Sequence, residues 1–229
     1  MNLLKEKILY VDIETVPLVY QYEQLSPQSR YHWDRKWNGR EIDPVAQYEK
    51  AGIYAEFAKI VCIGYGYHTA AGFFCGSFSG HDELVLLRDF HLLLKEQQLQ
   101  QPVLLCAHNG KEFDFPFLGR RYLVNALPLP DLLLLQGKKP WEVRHIDTLE
   151  LWKFGDYKSY SSLDLLAFIF DVPSPKTEMD GSQVASTYYE KKDLPRISRY
   201  CLQDVITLAR VYARFCGQKV ITEDEIIFA

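Results

Sequence analysis

The chain has 229 residues, of which 48% are hydrophobic and 24% charged, with a formal net charge of −4. That length suits one large α/β domain with a substantial core, and the acidic balance argues against tight coating of long duplexes through many phosphate contacts. No apolar run is long enough to span a bilayer and no charged-then-apolar leader opens the chain, so a protein of the cytoplasm with no membrane association is expected.

The first element is Ile8-Leu9-Tyr10-Val11-Asp12-Ile13-Glu14-Thr15, apolar and β-branched, which reads as a buried strand. Side chains alternate across a strand, so Asp12 and Glu14 share a face. Two adjacent like charges cost free energy when desolvated. A cation between them removes that cost, and hard oxygen ligands suit Mg²⁺ or Mn²⁺. Taken alone, the pair reads equally as two solvated acids at a strand end.

Residues 17–57 are polar and rich in tyrosine and tryptophan, and are expected to form a mostly helical insertion within a single domain spanning 1–229. Within them, Ser26-Pro27 reads as an N-cap followed by a first-turn proline. Paired strands are expected over 59–67 and 71–78, joined by a short turn near Thr69. A helix over 82–98 places Leu84, Leu87, Phe90 and Leu94 on one side. The strand over 103–107 runs into His108-Asn109-Gly110, a turn signal. Asp114 follows, at the start of a helix over 115–125. The last strand is expected over 143–148, and helices over 162–170 and 196–217. Tyr200 and Asp204 are four apart in the final helix and project from one face. The tail from Lys219 is acidic, with apolar Ile226, Ile227 and Phe228, and reads as docking on the domain or on a partner. Together these elements predict an α/β fold, a mixed sheet covered by helices.

The five cysteines are odd in number and widely spread, with no C-x-x-C pair, so spacing indicates neither a zinc site nor a disulfide framework. Those in apolar runs read as buried small hydrophobes. Asp147 and Asp164 read as structural acids, one at a strand end and one at a helix N-terminus. The basic pairs Arg120-Arg121, Lys138-Lys139 and Lys191-Lys192, and Arg196 with Arg199, read as solvated surface.

Asp12-Ile13-Glu14-Thr15, Asn109-x-x-x-Phe113-Asp114 and Tyr200-x-x-x-Asp204 resemble the three motifs of DEDDy-type 3′–5′ exonucleases. These are DnaQ-like enzymes of ribonuclease H-like fold, and the nearest likeness is to the proofreading exonuclease domain of family-B DNA polymerases. Asp114-Phe115-Pro116-Phe117-Leu118 and Tyr160-Ser161-Ser162-Leu163-Asp164-Leu165-Leu166-Ala167 resemble segments beside the second and third motifs. The likeness runs from about Lys7 to Arg214. It implies a ribonuclease H-like mixed β-sheet flanked by α-helices.

The resemblance also implies a stand-alone, metal-dependent 3′–5′ exonuclease. Two divalent ions, Mg²⁺ or Mn²⁺, would be held by Asp12, Glu14, Asp114 and Asp204, with Tyr200 orienting the attacking water. A free tyrosine titrates near pH 10, so positioning rather than proton abstraction is assigned to it. Thr15, Asn109 and Phe113 would contact the terminal nucleotide, Phe113 by stacking. The 3′ end of DNA, single-stranded or frayed, is the expected substrate, with any polymerase or repair partner acting in trans. RNA is the alternative substrate, and a nucleic-acid-binding domain without catalysis is the alternative function.

Overall fold

The computed structural model describes residues 6–156, 158, 160–173 and 179–229. Among them are strands β1 (Lys7–Pro17), β2 (Ala58–Thr69), β3 (Gly72–Ser79), β4 (Val103–Ala107), β5 (Ile146–Asp147) and β6 (Ile226–Phe228). They form one mixed sheet in the order β5-β4-β1-β2-β3-β6. The neighbours β1, β2 and β3 pair antiparallel, whereas β4 beside β1, β5 beside β4 and β6 beside β3 are parallel. The helices are α1 (Pro27–Trp37), α2 (Pro44–Gln47), α3 (Glu83–Gln100), α4 (Asp114–Val124), α5 (Thr148–Lys153), α6 (Leu163–Ile169), α7 (Val184–Tyr189) and α8 (Leu194–Phe215). The expected mixed sheet flanked by helices is therefore what the chain forms.

Alternation along β1 divides the molecule. Leu9, Val11 and Ile13 enter an apolar cluster with Leu87, Phe90 and Leu94 of α3 and Phe117 and Leu118 of α4. Tyr10 turns to the other face, among Val205, Leu208 and Ala209 of α8. Asp12 and Glu14 follow Tyr10 at every second residue and so share the α8 face. A register shift between Glu14 and Thr15 breaks the regular pairing directly after the acids.

The sheet lets α8 come unusually close. A Cβ on Gly64 would lie 2.7 Å from Cys201 Sγ, and Gly64 is the register partner of Asp12. The missing side chain brings the helix onto bare backbone beside the acid, a use of strand glycine for close approach.

Residues 18–57 build their own small core. Ser26 caps α1 by accepting from the Ser29 N–H at 3.1 Å, with Pro27 in the first turn. Trp33 is fully buried among Trp37, Tyr48, Tyr54 and Phe57, edge to face in each case. Its indole N–H donates to the Pro44 carbonyl at 2.8 Å.

Three expectations change. The strand expected over 143–148 shrinks to Ile146–Asp147, because Asp147 caps α5 by accepting from Leu149 and Glu150 N–H. It is not the last strand, since Ile226–Phe228 of the tail pairs with β3 and Ala229 N–H donates to the Cys75 carbonyl at 2.9 Å. The tail thereby fills hydrogen-bonding groups on an open sheet edge. Arg121 is not surface but buried in α4 against Glu83. Among the described residues, no helix is long and apolar enough to cross a membrane.

Candidate active site

Three separate parts of the chain deliver acids to one place. β1 carries Asp12 and Glu14. The turn after β4 brings Asp114 to the first position of α4. α8 carries Asp204, one turn beyond Tyr200. Each acid is raised above the ordinary carboxylate range, mainly by burial. Asp12 is raised next by the charges of Asp204 and Asp114, and Glu14 by those of Asp12 and Asp204. Asp114 is pushed up to about 7, although hydrogen bonds from its own backbone and that of Ile13 oppose the rise. Asp204 is pushed up to about 6, opposed by its hydrogen bond with Tyr200 and reinforced by Asp164. Like charges that raise one another's pKa values are the pattern expected of acids facing a common site.

Tyr200 is the expected fifth member. Burial first, then the charges of Asp204, Glu14 and Asp12, drive its phenol far above the ordinary tyrosine range. The hydroxyl therefore keeps its proton at neutral pH.

Among the described residues the acids have no paired counter-charge. None of the ion pairs among the described residues includes Asp12, Glu14, Asp114 or Asp204. Asp12 Oδ2 is buried without any hydrogen-bond partner. A buried carboxylate oxygen without a partner is costly, and an all-oxygen donor set is the kind a hard divalent cation takes. The residues present thus fit an ion of the Mg²⁺ or Mn²⁺ class. One further atom stands among them. Ligand atoms of Asp12, Glu14 and Cys201 all lie within 4.8 Å of one another.

The remaining expected residues sit near the acids in the chain, Thr15 in β1 and Asn109 and Phe113 between β4 and α4. Thr15 Oγ1 donates to the Gly52 carbonyl at 2.7 Å and so ties β1 to the 18–57 segment. Asn109 has φ 60, the left-handed conformation that its turn requires. Phe113 is half-buried, 5.4 Å from the Phe117 ring. His108 joins Thr148 Oγ1 at 2.9 Å and the Ser161 carbonyl at 2.8 Å, which ties β4 to the segment before α6.

Two contributors were not visible as such in the sequence. Asp147, read only as a structural acid, accepts from Asn109 N–H at 2.9 Å and Lys111 N–H at 3.0 Å. It fixes the turn that delivers Asp114. The Asp-Thr step before a helical run was the available signal. Cys201 was read as a small hydrophobe, and only the Gly-Tyr-Gly of β2 hinted at a helix pressed this close.

The chain matches, over residues 54–225, the family described as predicted 3′–5′ exonuclease related to the exonuclease domain of PolB. The matched stretch contains Asp114, Tyr200 and Asp204, and starts after β1. No curated protein matches. Among solved structures, the chain is similar to the family B DNA polymerase from the hyperthermophilic archaeon Pyrobaculum calidifontis, with TM-score 0.61 and 20% identity. The superposition covers 93% of this chain and 24% of that one. At that identity the likeness is one of fold, and the chain spans about a quarter of the polymerase's length.

Proposed function

The chain belongs to the family of predicted 3′–5′ exonucleases related to the exonuclease domain of PolB, and from that premise we propose that it removes nucleotides from the 3′ end of DNA, single-stranded or frayed. Phosphodiester hydrolysis would release nucleoside 5′-monophosphates by the two-metal, DEDDy-type route. The proposal takes 1–229 as one exonuclease domain with 17–57 as its insertion. The observation that carries it is that Asp12, Glu14, Asp114 and Asp204 raise one another's pKa values, with Tyr200 beside Asp204, Glu14 and Asp12, and that no ion pair among the described residues includes any of the four acids.

Asp12, on the central strand, would hold both metal ions. Glu14 and Asp204 would complete one ion's site and Asp114 the other's. When bound, the ions neutralise charge on the phosphate and lower the pKa of the attacking water. Glu14 and Asp114 are buried and Asp12 and Asp204 half-buried, so the four carboxylates would form a preorganised anionic cage. Tyr200 would orient the water by its hydroxyl. Its raised pKa makes it a proton donor at neutral pH, so its part is positioning and not proton removal. Thr15 and Asn109 would meet the terminal nucleotide, and Phe113 would support its base.

The test is degradation of 5′-labelled, 3′-tailed DNA and its RNA counterpart with Mg²⁺, Mn²⁺ or EDTA. The expected result is a ladder shortening from the 3′ end, dependent on metal and faster on DNA. In an Asp12→Ala variant the ladder is lost. Faster loss of RNA would reassign the substrate. No shortening of either would leave a nucleic-acid-binding domain.

A further inference from the structure

We propose that Cys201 makes the Asp12–Glu14 site a binding site for thiophilic divalent cations of the Zn²⁺ class, which enter there in competition with Mg²⁺ or Mn²⁺. The proposal rests on Asp12 and Glu14 being cation ligands, and is independent of exonuclease activity.

The geometry is specific to this packing. Cys201 lies three residues before Asp204 and one after Tyr200, and is fully buried. Its Sγ shares a 4.8 Å sphere with a carboxylate oxygen of Asp12 and one of Glu14. It reaches there because residue 64 has no Cβ. An added Cβ would meet that sulfur at 2.7 Å and force the helix or the side chain away. The thiol donates to the Asp12 backbone carbonyl at 3.4 Å, on the strand that carries both acids. Cys62, the register partner of Glu14, lies in the same buried cluster as Cys201.

Zn²⁺ takes sulfur at about 2.3 Å and carboxylate oxygen at about 2.0–2.2 Å, so tetrahedral donors stand roughly 3.5 Å apart. Donors already within 4.8 Å of one another would need to draw only a little closer to reach that spacing. The orphaned Asp12 Oδ2 is a ready ligand. Three protein donors leave the fourth position open to water. Sulfur is what separates the two classes of metal. Mg²⁺ and Mn²⁺ prefer oxygen, whereas thiolate selects softer ions. Binding forms a Zn–S bond and breaks the S–H bond, and the thiol proton leaves to the buffer.

Two measurements on the whole chain test this. Zn²⁺ alone is titrated against wild type and Cys201→Ser in competition with a coloured zinc chelator, beside a parallel Mn²⁺ titration. The expected result is a loss of Zn²⁺ affinity in Cys201→Ser of at least about 10–100-fold, the range that even indirect metal partners command, with Mn²⁺ affinity little changed. Independently, Co²⁺ added to unmodified protein should produce a thiolate-to-cobalt charge-transfer band that Zn²⁺ displaces. That measurement does not depend on a variant folding. Equal Zn²⁺ affinity in both proteins, or a cobalt spectrum without the thiolate band, overturns the thiol site while Mn²⁺ binding and cleavage stand. Wild type that binds neither Mn²⁺ nor Zn²⁺ overturns the cation reading of the acids as well.

Discussion

Two groups of buried acid sit in this fold, and they are treated in opposite ways. Glu83, at the start of α3, is saturated. Its Oε1 accepts from Ile60 N–H at 2.8 Å and Arg121 Nε at 2.9 Å, and its Oε2 from Arg121 Nη2 at 2.6 Å and Asn125 Nδ2 at 2.8 Å. Arg121 spends a further donor on the Ala55 carbonyl at 2.7 Å. Asp12 and Glu14, across the sheet, have other acids for neighbours and one oxygen with no partner. The first group is a closed joint between α3, α4 and β2. The second stores repulsion that an external cation can relieve. A buried acid is structural when the protein supplies its counter-charge or its hydrogen-bond donors, and a candidate for chemistry when it supplies neither.

The largest expected effect that separates the groups on stability is Arg121→Met. It strands Glu83, and breaking a buried pair costs about 3–5 kcal/mol. Urea unfolding should report that loss, while cleavage per folded molecule persists. The paired change Glu83→Gln with Arg121→Met should cost less than Arg121→Met alone, and a larger cost would contradict the closed-joint reading.

Tyr200→Phe probes the open group next. Turnover should fall about 10–100-fold, the scale of a lost positioning contact. Mn²⁺ binding, followed by calorimetry, should hardly change, because the carboxylates remain. Loss of binding and turnover together would make Tyr200 part of the metal site.

Smaller effects concern the metal-free protein. Asp114 and Asp204 have folded pKa values raised above their unfolded ones, so their contribution to stability is fully present below about pH 4. It is lost as pH rises through about 6 and about 7, where the two groups ionise. In EDTA, wild-type thermal stability should therefore decline across that window, and added Mn²⁺ should restore it. Asp12→Asn removes one charge from the cluster. At pH 8 in EDTA it should be more stable than wild type by about 1 kcal/mol, the usual gain when a functional compromise is removed. It should decline less steeply with pH and gain little from Mn²⁺. A variant less stable than wild type under those conditions would mean that Asp12 is a structural acid.

Much of the candidate site was legible because it is local. Alternation put Asp12 and Glu14 on one face, the turn signal at Asn109-Gly110 preceded Asp114, and helical spacing aligned Tyr200 with Asp204. Caps read equally well, as Ser26-Pro27 shows. Arg121 misled, because adjacent basic residues look alike whether solvated or buried, and its acid is 38 residues away. The tail strand was ambiguous, since three apolar residues carry no record of which edge they will meet.

The sequence by itself determined which residues hold acids, which segments are strand or helix, and which side of β1 is apolar, because these follow from backbone periodicity and side-chain chemistry within a few residues. Tertiary structure alone decided that Glu83 is neutralised and Asp12 is not, and that Cys201 rests over Gly64 among the carboxylates. Those outcomes depend on distances between segments far apart in the chain, and burial converts such distances into pairing, repulsion and metal preference.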